Sequence, residues 1–408
     1  MASTKTIEPK ATVRNSLGMG FVTLLVVLAI WHLLVDTVAC VIQPLWPSLE
    51  THLDLRAGRI FWLYLIWSMT TSFGQFVVGC LADRFPSRWL IWVAPTFALI
   101  CMSCLGIATS VWGVAALLVG AGIGIAAFHP EAAAIAGSCL PENRSRAMSI
   151  FALSGYMGQS VGPLYSGYVT DRWTLSALGS LLICGLPVIS MLYLCSYSVR
   201  WPELIARKPS KKSSLSIVDG KLLPVLLLIV IGTLRVFAAL GIPLAMAFLL
   251  AWRGSTNTSI GIVQSAFMFG IGTGSIACAL WIRHESERRA LWTFPLYSLP
   301  FVWVIPGLSG WLLIASVTIS GICIGITLPI LISYGQRLLP DGQRMASSLT
   351  MGVTWGLGSA LLAGIMATLK QWQRVDFAFV IFTLAVLISG ILCFWLPNQQ
   401  ADTKMQSE

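Results

Sequence analysis

Five ionisable side chains interrupt long apolar runs of this chain: His32 and Asp36, His129 and Glu131, and Arg235. Four of them are groups that exchange protons. His32 and Asp36 are four residues apart, so on a helix they share a face and can share a proton, or His32 can orient the carboxylate. His129 and Glu131 flank Pro130 in "GIAAFHPEAAAIAG". Two residues apart, they lie roughly 200° around an ideal helix. Both reach one cavity only if Pro130 distorts the helix by freeing the carbonyl of Ala126. Arg235 keeps its charge. It can neutralise Asp36 or Glu131, or bind an anionic group.

Such residues are costly if the runs lie in a bilayer, at about 2.5–3.5 kcal/mol each, and they then face a cavity or a partner. Composition puts the runs there. The chain has 408 residues, of which 56% are hydrophobic and 10% charged, and its mean hydropathy is +0.81. Soluble domains carry roughly 25% charged residues. Runs of about 20 apolar residues or more read as membrane helices, whose backbone groups are satisfied internally. The expected architecture is all-α, with twelve spans at 18–46, 58–82, 88–108, 111–138, 146–170, 175–198, 222–251, 256–282, 289–307, 309–336, 346–369 and 375–396. Spans nine and ten nearly merge at "PGLSGW".

The net charge of +10 is not a nucleic-acid face. Arg56, Arg59, Arg172, Arg253, Lys370 and Arg374 fall on one side and Arg235 within a span, while the other nineteen of 26 Lys and Arg fall opposite, with the termini. By the positive-inside rule both termini are cytoplasmic. The first span reads as a retained anchor, because its apolar run is too long for a cleavable signal and no A-x-A-like site follows. The ten cysteines, including Cys101 and Cys104 of "CMSC", read as free thiols between helices.

A shift of 199 residues places Pro44 on Pro243, Arg84 on Arg283, Pro130 on Pro329 and Pro141 on Pro340. One register over four spans is an internal repeat, as transporter folds often carry. The organisation expected is a tail (1–17), a six-helix half (18–199), a basic cytoplasmic linker (200–221), a second half (222–396) and a second tail (397–408). The register also sets Asp36 against Arg235, and Leu328 and Ile330 against His129 and Glu131.

Two motifs point to a family. "GCLADRFPSRWLI" holds Gly79, Asp83, Arg84 and Arg88 between spans two and three. It resembles the loop signature of the major facilitator superfamily, with Pro86 in place of Gly and Ser87 in place of a basic residue. "GQSVGPLYSG" holds Gly158, Gly162, Pro163 and Gly167 in span five, and is similar to that superfamily's antiporter signature; a plain small-residue packing face reads equally well. The superfamily's arginine in span four is missing, with Leu118 in its place. "HLLVD", "FHPEAAAIA" and "LISYGQRLLP" resemble the fosmidomycin resistance branch.

The resemblance implies a twelve-helix fold whose spans one, four, seven and ten line a central cavity. It implies a proton-driven efflux antiporter of drug-like or organic anionic molecules in the bacterial inner membrane. Such a protein needs a small-molecule substrate, protons and the bilayer, no cofactor and no metal, and is expected to be monomeric. Asp36, Glu131, His32 and His129 are the proton-coupling candidates. Arg235, Trp31, Tyr156, Tyr334 and Trp355 are substrate-binding candidates. Gln75, Gln159 and Gln264 line the path or bond across helices. An uptake symporter with Arg235 as anion anchor is the alternative. An intramembrane metalloenzyme is disfavoured, because its two membrane histidines lie on different helices and lack a paired motif. A non-transporting receptor is a further reading.

Overall fold

The computed structural model describes residues 11–82, 89–140, 144–197, 201, 220–339 and 348–397. Twelve long helices appear among these residues, at the expected places. They are α1 (Ala11–Cys40), α2 (Ile60–Ala82), α3 (Leu90–Ser103), α4 (Val111–Cys139), α5 (Arg144–Arg172) and α6 (Ser180–Tyr197). After the midpoint come α7 (Leu222–Trp252), α8 (Asn257–Trp281), α9 (Glu287–Val304), α10 (Gly310–Leu338), α11 (Thr354–Gln371) and α12 (Ala378–Leu392). Among the described residues, nine helical segments are long and apolar enough to cross a membrane by length and composition. Most of the linker at 200–221, and Asp83, Arg84 and Arg88 of the loop motif, lie outside the described residues.

Local chemistry sets the boundaries. The first span stops at Cys40, short of the expected 46. Pro44 and Pro47 turn the chain through a 3-10 segment, Gln43–Leu45, into a short helix, Trp46–His52. The near-merger of spans nine and ten is resolved by a 3-10 turn, Ile305–Gly307, and by Gly310, whose φ of 57° favours glycine. Ser110 and Thr256 cap α4 and α8, accepting from the backbone N–H of Gly113 and Ser259. Proline does not break α4, which runs unbroken through Pro130. His129 and Glu131, two residues apart on this continuous helix, leave it in different directions.

The internal repeat reappears as a packing map. In the first half α1 packs on α5, α2 on α4, and α3 on α4 and α6. In the second, α7 packs on α11, α8 on α10, and α9 on α10 and α12. Adding six to each helix number converts one set into the other. Small residues permit the closest approaches. A Cβ on Gly274 would run into the Ile322 carbonyl oxygen, and one on Gly158 into that of Leu33.

Between halves, α5 packs on α8 and α2 on α11, which is the pairing a pseudo-two-fold axis requires. The end of the bundle away from the termini is tied shut. The Asp171 carboxylate accepts from the backbone N–H of Asn257 (3.0 Å) and Thr258 (2.7 Å). Ser48 donates to Asn257 Oδ1 at 2.9 Å, and Lys370 pairs with Glu50 at 3.0 Å.

Candidate functional site

Asp36 sits on the buried face of α1, 4% exposed, where α4 and α5 converge on it. Its Oδ1 lies 3.0 Å from His129 Nε2 on α4. Its Oδ2 accepts from Gln159 Nε2 on α5 at 2.9 Å, and lies 3.5 Å from His32 Nε2 one turn back on α1. Three helices thus close a ring of polar side chains around one carboxylate.

Backbone carbonyls fix both imidazoles. His32 Nδ1 lies 2.7 Å from the Phe151 carbonyl, and His129 Nδ1 2.8 Å from that of Ile125. A carbonyl only accepts, so each Nδ1 carries the proton and each Nε2 is turned to Asp36. The Phe151 ring stacks on His32 at 4.0 Å. Gly155 supplies the space: a Cβ there would lie 2.5 Å from the His32 ring and 2.8 Å from Asp36 Oδ2. Gly158 and Gly162 then hold α5 against the α1 backbone, so the span-five motif is a packing face. Pro163 and Gly167 continue that helix toward α8, against Gly261 and Asn257.

This geometry has a consequence for protons. A neutral His129 with its proton on Nδ1 presents a lone pair at Nε2, and an ionised Asp36 presents only lone pairs. At 3.0 Å these repel, so the contact holds when a proton sits between them. The ring as it stands is the arrangement of a carboxylate and an imidazole that share a proton. Asp36, His32 and His129 offer donor atoms within 4.8 Å of one another, so the two membrane histidines meet although they lie on different helices. Both carboxylate oxygens already have protein partners.

Other expected residues fall elsewhere. Glu131 is buried on α4 but does not join the Asp36 ring. Arg235 is turned from the acidic residues: its Nη2 donates to the Leu291 carbonyl of α9 and to Cys393 Sγ at the end of α12. Its long side chain reaches into the second half's own core, so it neither pairs with Asp36 nor presents a cation to the seam. Trp31 is fully buried with its ring edge-on to Trp92 of α3. Tyr334 is buried and donates to the Pro397 carbonyl. Neither lines the cavity between the halves described below. Tyr156 packs against Gly272 at the α5–α8 seam. Trp355 lines a cavity of about 100 Å³ between the halves. Gln264 bonds across helices to the carbonyls of Gln43 and Pro243. Pro329 lies inside α10 as Pro130 does inside α4, and Gly79 lies in α2.

The sequence did not suggest the contact between His129 and Asp36 or the part of Gly155, and it marked Gln159 as a residue that bonds across helices or lines the path without naming Asp36 as its partner. A signal was present: positions 155, 158, 159 and 162 lie on one helical face, mixing glycines with one amide.

Known proteins agree with this architecture. The chain is 25% identical to the fosmidomycin resistance protein of Escherichia coli (strain K12), over 90% of this chain and 91% of that one. It is 24% identical to an uncharacterized MFS-type transporter, YfnC, of Bacillus subtilis (strain 168), over 94% and 95%. Its fold matches a mutant of the nucleoside transporter NupG with a TM-score of 0.73 at 12% identity, covering 92% of this chain and 100% of that one. It matches a D-xylose-proton symporter with a TM-score of 0.73 at 11% identity, covering 92% and 98%. These relatives are transporters, not enzymes. The family model of the Major Facilitator Superfamily matches residues 19–361, and this multi-pass membrane protein belongs to that superfamily.

Proposed function

We propose that this protein is a proton-coupled efflux antiporter of drug-like small molecules in the bacterial inner membrane, working as a monomer with both termini in the cytoplasm. The observation that carries the reading is the carboxylate ring around Asp36. Proton loss there removes the bond between α1 and α4, so the proton is coupled to helix packing. The two halves rock about the α5–α8 and α2–α11 seams, and substrate and proton compete for one cavity. The likeness to a fosmidomycin resistance protein supports outward transport. The lysine and arginine distribution supports the orientation, and the tied end is then the outer one.

Uptake of an organic anion has less support, because Arg235 bonds within its own half. The test is transport into everted vesicles under an imposed pH gradient. Loss of proton-driven accumulation in Asp36→Asn is expected. If Asp36→Asn and Glu131→Gln both leave it intact, neither carboxylate carries the proton.

A further inference from the structure

The cavity between the halves is separate from the Asp36 ring and is built by other elements. It has a volume of about 100 Å³ and lies among the turn after α1, α2, α7 and α11. Four aromatic side chains wall it: Trp46, Tyr64, Trp67 and Trp355. Trp46 and Tyr64 meet edge to face at 5.7 Å. No lysine, arginine, histidine, aspartate or glutamate among the described residues lines it.

Three polar groups of the lining offer lone pairs to the cavity. Ser68 donates its hydroxyl proton to the Tyr64 carbonyl at 2.8 Å, and Thr71 to the Trp67 carbonyl at 3.0 Å. Each hydroxyl oxygen is left with lone pairs to offer. Gln43 also lines the cavity, and its Oε1 is buried with no donor among the described residues. Aromatic walls with accepting oxygens and no basic group suit a positive charge, as in aromatic cages for ammonium groups. An anion would find no counter-charge there.

We propose that this cavity is the subsite for the ammonium head of an organic cation, which makes the transported class aromatic or amphiphilic amines rather than phosphonates or carboxylates. Its volume suits one small head group, with the rest of the molecule following the seam between halves. The proposal rests on the transport reading and adds a charge balance. Release of one proton at Asp36 in exchange for one monovalent cation leaves the charge of the interior unchanged.

The test is binding, measured apart from transport. Full-length protein in nanodiscs is titrated with benzyltrimethylammonium, its uncharged carbon isostere and benzylphosphonate, and tryptophan fluorescence is followed. Saturable binding of the cation at millimolar concentration or below is expected, with the other two roughly tenfold weaker or more. Trp67→Ala and Trp355→Ala should each weaken the cation about tenfold. Ser68→Ala, which preserves the packing, should weaken it a few-fold. Asp36→Asn should lose proton-driven transport yet keep the cation site, so failure of coupling and failure of the subsite are read separately. The proposal is overturned if the cation does not bind, if the phosphonate or the isostere binds as well, or if correctly folded Trp355→Ala and Ser68→Ala proteins both bind as before.

Discussion

The same position in the two halves holds opposite charges with opposite fates. Asp36 on α1 faces its neighbours α4 and α5, and every oxygen has a polar partner. Arg235, in the matching register on α7, reaches the other way, to a carbonyl of α9 and a thiol at the end of α12. Its Nε and Nη1 have no hydrogen-bond partner among the described residues. The two helices share their pairings only in part: α1 packs on α5 and α4 as α7 does on α11 and α10, but α7 packs most extensively on α12. The difference lies in what faces them. The first half places Gly155, His129 and Gln159 around its acid, whereas the second has Thr354, Leu328 and Gly358 in those registers. Thr354 donates its hydroxyl proton to the Thr350 carbonyl one turn back rather than to α7. The same repeat therefore surrounds its acid with polar side chains in one half and turns its base away into the half's own core in the other.

The largest contrast comes from removing each charge. Asp36→Asn should reduce proton-driven transport to background in everted vesicles while the protein stays folded, because the amide fills the same space. Arg235→Met should keep transport. It should leave stability unchanged or raise it by about 1–4 kcal/mol, since a poorly compensated buried charge gives way to a side chain of similar volume. Thermal unfolding in detergent checks the second outcome. Loss of transport in a stable Arg235→Met protein would mean that the halves do not differ in this way.

Overpacking the acid's pocket comes next. Gly155→Ala forces a methyl to within 2.5 Å of the His32 ring, which costs about 1–3 kcal/mol and shifts α5 from α1. Transport should fall strongly. Thr354→Ala, the matching change in the second half, should leave it nearly unaffected. Within the ring, His129→Gln should impair coupling more than His32→Gln, because the carboxylate lies 3.0 Å from His129 and 3.5 Å from His32. The pH dependence of exchange distinguishes a proton-sharing histidine from a packing one, since a glutamine that merely replaces the hydrogen bond cannot restore it.

The fold was legible because its signals are local. Long apolar runs, proline spacing and the distribution of arginines need no knowledge of distant contacts. The ring around Asp36 was half legible. Cost alone marks His32, Asp36 and His129, since nothing else explains them in hydrocarbon. Their meeting, however, depends on how α4 rotates against α1; Gln159 stood out only as one of three membrane glutamines, and Gly155 not at all. Arg235 misled for the same reason: register locates a Cα, but a long flexible side chain chooses its own partner. The aromatic cavity was visible only through Trp355. Trp46, Tyr64 and Trp67 lie on other segments that only the folded seam brings beside it.

The smallest effect concerns the tie at the end of the bundle away from the termini. Partial burial pushes the Asp171 carboxyl up, but hydrogen bonds from Thr258, Thr256 and Asn257 outweigh it and hold the group below the usual carboxylate range. A carboxyl lowered by folded contacts contributes its stability above its ordinary pKa and loses it as pH falls through the lowered one. The tie is therefore complete at neutral pH and weakens only in strong acid. Because the group is exposed, Asp171→Asn should cost only about 0.5–1 kcal/mol, at the low end for a helix cap. Spin labels at Thr51 and Gln371, one on each half, should show a larger open population in the variant at neutral pH. Acidification should move the unsubstituted protein toward the variant. The Asp36 ring lies in a different part of the first half, so proton coupling in Asp171→Asn should keep its pH dependence even as the balance of open and closed forms shifts. An altered pH profile would mean that the outer tie and the inner ring act as one device rather than two.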